Sequence, residues 1–282
     1  TNFSLTVLNP KLWTVTNPEL YELTIRVLSR GIMIDDLTTD LGFREISVGK
    51  YNGKPVLALN GNVFLVKGVD YVEDYYTTRQ SLSVWRMEKD INLIKTLGAN
   101  LVRIKYGIPS PYFLKLCNKH GLFVMIELPV YDAPNSLIGS DEIKVRMKNI
   151  TEKIINAFSN DPSVFAWGLC EGVEEHSQEV HNFENYIMPI LRKYSNNPIY
   201  KVPLLSSDEI DAKNYDFIIC RQIGNVDKID KIKNNLVLLK NQLKNKPVIF
   251  NFGAAIQSDN HNGYSDPYSI EAQAYYLYNM FY

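Results

Sequence analysis

The rhythm of apolar and polar positions changes part-way along the chain. Up to Gly49, short alternating or apolar runs such as "FSLTVL", "LYELTIRVL" and "GFREISV" are broken by Pro, Asn and Gly. Runs of that length with a period of two predict strands of an all-β layer. Residues 1–49 therefore read as part of a β-sandwich domain. The next stretch, "PVLALNGNVFLVKG", predicts a hairpin, because Asn60-Gly61 tolerates positive φ at both central positions of a two-residue turn.

From about residue 50 the pattern becomes strand, helix, strand, helix. "FLVKGVDY" reads as a buried strand. "WRMEKDINLIKTLGAN" then places Met87, Ile91, Ile94 and Leu97 at helical spacing, with Gly98 as the stop. "LVRIKY" is a second strand, followed by a helix opened by Pro111 and closed by Gly121. "LFVMIELPV" is a third strand. Ile143, Met147, Ile150 and Ile154 mark a third helix, capped at Ser140 or Asp141. "SVFAWGLC" is a fourth strand, with a helix over 183–191. "YKVPLLSS" and "YDFIICRQI" are the fifth and sixth strands, 226–243 a helix, "PVIFNFG" the seventh strand and "SIEAQAYYLYNMF" the last helix. Continuous apolar strands alternating with amphipathic helices imply a parallel sheet covered by helices. Seven such units without a glycine-rich phosphate loop predict a (β/α)8 TIM-type barrel over 50–282, with the last strand unclear or missing: either it follows Tyr282 or the barrel is incomplete.

Composition narrows the partners. The formal net charge is −1 over 282 residues, which gives no general pull toward nucleic acid. No apolar run has the length of a membrane span. With 18 Tyr, 12 Phe and 3 Trp, the chain has rings enough to stack on neutral ligands such as sugars, although most rings in any protein fill its core. Three separated cysteines (Cys117, Cys170, Cys220) suggest no disulfide framework, and Cys170 and Cys220, in apolar strand-like runs, read as buried thiols. Four histidines form no metal-ligand cluster, and no cofactor or metal is expected. The opening on a strand-like run predicts chain upstream of Thr1.

In such a barrel, chemistry gathers at the C-terminal ends of the strands. Those ends carry Asp70, Tyr71, Glu73 and Asp74; Arg103, Lys105 and Tyr106; Glu127 and Tyr131; Glu171, Glu174 and Glu175; Ser206, Ser207 and Asp208; Arg221 and Gln222; and Asn251. Taken singly, each is more often a solvated loop residue or a structural ion pair. As a set they form a polar, acid-rich rim with rings beside it, suited to a neutral polyol.

Several segments in order resemble glycoside hydrolase family 2, the β-galactosidase, β-glucuronidase and β-mannosidase group. "NPKLWTVTNPELYELTIRV" with "GFREI" resembles the end of that family's immunoglobulin-like domain. "LNGNVFLVKGVDYVED", "DINLIKTLGANLVRIKY", "YFLKLCNKHGLFVMIELP" and "NDPSVFAWGLCEG" resemble its barrel. The resemblance implies retaining hydrolysis by two carboxylic acids, roughly 5–5.5 Å apart. It further implies a periplasmic or extracellular setting and additional domains of the same polypeptide. The family's acid/base ends a W-S-L-G-N-E run on strand four. Laid on this chain, Trp167 and Leu169 take the Trp and Leu, Cys170 the Gly, Glu171 the Asn, and Gly172 the acid. The family's nucleophile falls at Asn251. Tyr106 stands where the family has a histidine, Asp70 where it has an Asn, Val72 where it has a histidine, and Arg221-Gln222-Ile223 where it has Asn-x-Tyr. Arg103, Glu73, Asp74, Glu127 and Trp167 match it.

Glycine cannot hold a proton for transfer, and an amide is a poor, uncharged nucleophile. The expectation is therefore a carbohydrate-binding barrel with no intact catalytic pair, its ligand-contact candidates being Asp70, Glu73, Arg103, Tyr106, Glu127, Trp167, Glu171 and Asn251. One alternative is an active glycosidase with relocated carboxylates, with Glu171 as the acid and Asp70 or Glu127 in the second role. Another is a structural domain whose cleft is blocked by Tyr106, Arg221 or neighbouring loops.

Overall fold

The computed structural model describes residues 4–75, 77, 79, 81–174, 176–203, 210–254 and 259–281. Three sheets are present among them. Strands β1 (Tyr21–Ser29) and β2 (Ile32–Leu41) form an antiparallel hairpin, exposed over most of its length. Strands β3 (Ile46–Tyr51), β4 (Lys54–Leu59) and β5 (Asn62–Val63) form a small antiparallel sheet. The β4–β5 turn is the expected one, with φ of 50° at Asn60 and 78° at Gly61. "FSLTVL" departs from expectation: residues 4–8 form no strand and pair with no strand among the described residues.

The third sheet has seven strands, all parallel, in sequence order. They are β6 (Gly68–Tyr71), β7 (Leu101–Ile104), β8 (Phe123–Glu127), β9 (Val164–Glu171), β10 (Ile199–Val202), β11 (Phe217–Gly224) and β12 (Val248–Ala254). Strand β6 is shorter than "FLVKGVDY" suggests. The chain before Gly68 instead runs under the sheet, where the Phe64 ring packs on Phe123 and Phe165. Helices α1 (Val84–Thr96), α2 (Pro111–His120), α3 (Asn135–Ile138), α4 (Asp141–Phe158), α5 (Gln178–Tyr194), α6 (Ile229–Gln242) and α7 (Ile270–Phe281) follow the strands, two of them after β8 and none between β10 and β11 among the described residues. Their starts follow capping chemistry. The Ser83, Ser110 and Ser177 hydroxyls accept from the backbone N–H groups of Arg86, Tyr112 and Val180. Gly121 closes α2 in the left-handed region.

The sheet is curled into a barrel with one seam. Strands β6 and β12 are its edges, with no strand between them among the described residues. Yet the Asn251 amide on β12 donates to Asp70 Oδ1 on β6 at 3.0 Å. One side-chain hydrogen bond thus spans the place where an eighth strand would close the ring.

Strand alternation sorts the core into two layers. Val102, Val124, Ile126, Trp167, Leu169, Ile218 and Cys220 face the helices. Leu101, Phe123, Met125, Phe165, Ala166, Tyr200, Phe217 and Ile219 fill the barrel interior. Trp13, Leu57 and Leu59 close the bottom. The Trp13 indole N–H donates to Asn118 O at 2.8 Å. Arg44 ties the N-terminal segment to the base of β9 through the carbonyls of Pro162 and Val164, at 3.1 and 2.8 Å. With the bottom sealed by apolar side chains, only the C-terminal ends of the strands remain for polar chemistry.

Candidate functional site

The inward positions at the strand ends form a charged layer above the apolar interior. Asp70 comes from β6, Arg103 and Lys105 from the end of β7, Glu127 from β8, Glu171 from β9, Arg221 from β11 and Asn251 from β12. Arg103 is the hub. Its Nε and Nη2 pair with the two Asp70 oxygens, both at 2.7 Å. Its Nη1 reaches Glu127 Oε1 at 3.2 Å and Glu171 Oε2 at 3.4 Å. Tyr200 donates from below to Glu127 Oε1 at 3.1 Å.

Glu171 collects more cations than its charge requires. Lys105 Nζ lies 2.6 and 2.7 Å from its two oxygens, and Arg221 Nη1 lies 2.7 Å from Oε1. Both oxygens are therefore occupied by donors. The backbone explains why Glu171 points inward at all. Tyr200 pairs with Gly168 and Val202 with Glu171, so three steps on β9 match two on β10. That extra residue is a bulge, which resets the alternation and returns Glu171 to the face that Gly168 occupies. Gly168 itself makes room, since a Cβ there would come within 2.7 Å of Glu127 Cγ and of Tyr200 Cζ.

The two positions singled out by sequence differ in kind. Gly172 has φ of +73°, in the left-handed region that a side chain strains to adopt. A Cβ there would overlap Oδ1 of Asp132 and lie 3.0 Å from its Cγ. The Asp132 backbone is held by its N–H, which donates to the Glu171 carbonyl at 3.0 Å. Asn251 faces the layer, in register with Arg221 on the neighbouring strand and bonded to Asp70.

The carboxyl groups of this layer are driven apart. Burial pushes Asp70 upward, but the bidentate Arg103 pair, Lys105 and the Asn251 amide outweigh it and hold its pKa below the ordinary value. Burial dominates at Glu127 and, with the Glu171 charge added against the pull of Arg103, moves it up to about 7. Glu127 is fully buried and its Oε2 has no partner among the described residues. Burial likewise raises the Tyr131 and Tyr200 phenols.

Two ligand-contact candidates stand apart from the cluster. Trp167 is fully buried on the outer face, paired with outward-facing Ile126, and its indole N–H donates to Ser195 Oγ at 2.9 Å. Alternation before the bulge sends it to the helices. Glu73 lies past the end of β6 and accepts the Ser110 N–H at 3.0 and 3.1 Å, at the start of α2. Burial raises its pKa, against that hydrogen bond. Tyr106 is at the mouth, half exposed, with φ of 60°. Its ring meets Tyr131 edge-on at 5.1 Å and sits 4.9 Å from Lys105 Nζ. Glu174 accepts from the Asn135 amide at 2.5 Å. Glu175, Ser206, Ser207 and Asp208 lie outside the described residues. Sequence reading missed Tyr200, Gly168 and Asp132. The first two are inward positions of strands whose other residues look purely apolar, and Asp132 matters only through its overlap with Gly172. Among the described residues no group of His, Cys, Asp and Glu is arranged to hold a metal ion, and no helix is long and apolar enough to cross a membrane.

Comparisons with known proteins agree with this architecture. A putative β-glucuronidase of Formosa agariphila is 33% identical over 161 residues, covering 57% of this chain and 19% of that protein. Beta-galactosidase 2 of Enterobacter cloacae is 30% identical over 166 residues, covering 57% and 16%. The crystal structure of a β-galacturonidase from Eisenbergiella tayi bound to galacturonate superposes with a TM-score of 0.87 at 20% identity, over 98% of this chain and 50% of that one. A β-D-glucuronidase from Dictyoglomus thermophilum gives 0.80 at 24% identity, over 96% and 49%. The chain thus spans about half the length of these solved relatives and less than a fifth of the curated ones. The family model for glycosyl hydrolases family 2 matches residues 1–44. With its TIM barrel model matching residues 53–271, more than half of the sequence, the chain belongs to glycoside hydrolase family 2.

Proposed function

We propose that this barrel binds carbohydrate at the mouth of the sheet without performing the family's two-carboxylate hydrolysis. The observation that carries the reading is Gly172. A side chain there would have to adopt a left-handed backbone and displace the Asp132 carboxylate. Asn251, at the second position, offers an amide that is already bonded to Asp70. Glu171 is a poor replacement acid because Lys105 and Arg221 occupy both of its oxygens. Each missing role amounts to several kcal/mol of barrier, at about 1.4 kcal/mol per tenfold in rate. The half-exposed Tyr106 ring at the mouth offers a face for the C–H surface of a sugar. The division into a sandwich remnant over 1–49 and a barrel over 50–282, with further domains in the same polypeptide, belongs to this proposal.

One observation favours a second reading. Asp70 is held ionised, is 29% exposed, and lies one hydrogen bond from Asn251. A carboxylate thus sits beside the nucleophile position on the opposite edge of the seam. The test is a panel of aryl β-glycosides run beside calorimetric titration with the corresponding free sugars. Binding without turnover supports the first reading. Turnover that disappears in Asp70→Asn replaces it with the second, and neither binding nor turnover leaves a structural domain.

A further inference from the structure

The sequence holds three Asn-Gly pairs: Asn52-Gly53, Asn60-Gly61 and Asn262-Gly263. Such a pair can modify itself, because the glycine nitrogen can attack the asparagine amide carbon and no Cβ on the glycine shields it. The structure treats the three pairs differently. Asn60 is locked at both amide atoms. Its Nδ2 donates to the Trp13 carbonyl at 3.1 Å, and its Oδ1 accepts the Glu45 N–H at 2.9 Å. The Asn262 Nδ2 donates to Asp266 Oδ2 at 3.3 Å, and the attacking nitrogen of Gly263 is itself bonded to the Glu271 carboxylate. Asn52 and Gly53 have neither restraint. Both are exposed, and among the described residues no hydrogen bond reaches the Asn52 amide or the Gly53 N–H. They form the tip of the β3–β4 hairpin, between paired Tyr51 and Lys54, with φ of 49° and 76°. Among the described residues β3 pairs with β4 alone, so this tip can open without disturbing the seven-stranded sheet.

We propose that Asn52 is a self-modification site, where the folded chain loses a side-chain amide through its own backbone while Asn60 and Asn262 keep theirs. The Gly53 nitrogen bonds to Asn52 Cγ and gives up its proton. The Cγ–Nδ2 bond breaks, ammonia leaves with that proton, and a cyclic succinimide remains. Water then opens either of the two carbonyl–nitrogen bonds of the ring. One opening leaves an aspartyl residue, and the other an isoaspartyl residue whose backbone runs through the former side chain. Water is the only co-reactant, and nothing is oxidised or reduced. Either product adds a negative charge between Lys50 and Lys54. The isoaspartyl form also lengthens the turn, against the fixed geometry of a two-residue hairpin loop. Strand β4 packs under the barrel through Leu57 and Leu59, opposite the strand ends, so the inference stands apart from carbohydrate binding.

The test is incubation of the whole chain in warm, mildly alkaline buffer, followed by peptide mass spectrometry that locates each lost amide and separates aspartyl from isoaspartyl products. One sample is kept folded and a second is held in urea. In the folded chain, position 52 should convert first, with isoaspartate among its products, since direct hydrolysis of the amide yields the aspartyl form alone. Two hydrogen bonds must open before the Asn60 amide carbon can turn toward Gly61, and two likewise hold the Asn262 pair. Each of those sites should therefore react at least about tenfold more slowly than Asn52. In urea the three pairs should convert at comparable rates, because the bonds that protect two of them are gone. Asp266→Ala, checked for folding by a thermal melt, should speed conversion at Asn262 and leave Asn52 unchanged. An Asn52 that stays intact in the folded chain, or that converts no faster than Asn60 or Asn262, overturns the proposal. So does a preference for Asn52 that persists unchanged in urea, since the selectivity would then belong to the neighbouring residues and not to the fold.

Discussion

Replacing Glu127 with Gln tests the buried charge layer directly. Glu127 is fully buried, and its pKa rises from 4.5 to about 7 because burial disfavours the charged form, against the pull of Arg103. Between those two values the folded chain holds a proton that the unfolded chain releases. Stability must therefore fall as pH rises through that window. A rise of that size corresponds to about 3 kcal/mol, at about 1.4 kcal/mol per unit. Gln has the same shape and no titration, so the difference between parent and variant isolates this one group. Glu73 and Asp161, which are also raised by burial, cancel in the difference. Asp70 does not intrude, because its lowered pKa confines its effect to more acid solution, where stability is lost as the pH falls. Urea unfolding followed by circular dichroism at pH 5, 6, 7 and 8 gives the free energies from midpoints and slopes. The variant should gain on the parent progressively from pH 5 to 8, by up to about 3 kcal/mol. A difference that stays flat across this range, or that shrinks, would refute the claim that burial outweighs Arg103 at Glu127.

Other substitutions separate packing from site chemistry. Trp167→Phe should lower stability by about 1–3 kcal/mol through lost packing and the lost bond to Ser195, while sugar affinity in the same titrations stays unchanged. Gly172→Ala should cost about 1–3 kcal/mol in a urea melt from its left-handed backbone alone, and more while the Asp132 carboxylate occupies the space of the new Cβ. Adding Asp132→Gly should recover the second part only, seen as a non-additive double-mutant cycle.

The alternating strands and helices were legible because each barrel unit repeats one simple requirement, an apolar strand under an amphipathic helix. Strand-end positions were legible for the same reason. Reading "IELP" and "LVRIKY" with a period of two places Glu127, Arg103 and Lys105 on one face, where the structure has them. The period failed where the backbone departs from it. Trp167 and Glu171 are four residues apart in "WGLCE" and would share a face on a regular strand. The bulge between them sends one to the helices and the other to the barrel axis. Nothing in residue types announces a bulge of one residue. Glu73 was singled out but its partner was not legible, because that partner is the backbone N–H of Ser110, thirty-seven residues away, and a backbone donor leaves no mark in sequence. Asn251 and Asp70, at opposite ends of the barrel sequence, meet only because the sheet curls.

The charged layer also separates two properties that are often taken together. A pair of carboxyl groups with pKa values pushed in opposite directions is the usual signature of acid and base roles. Asp70 and Glu127 have that signature, one lowered and the other raised to about 7. But the environment that raises Glu127 is complete enclosure beneath Arg103, with Tyr200 on one oxygen and no solvent at the other. A group so placed can hold a proton at neutral pH and still have no path to a glycosidic oxygen above the layer. Asp70 has the opposite condition, ionised and with partial access to the mouth, which suits a nucleophile and not an acid. Hydrolysis with an acid and a nucleophile needs protonation state and reach in the same two side chains. On the proposed reading without hydrolysis, it is the acid role that stays unfilled, because the side chain that keeps a proton near neutral pH, Glu127, has no reach.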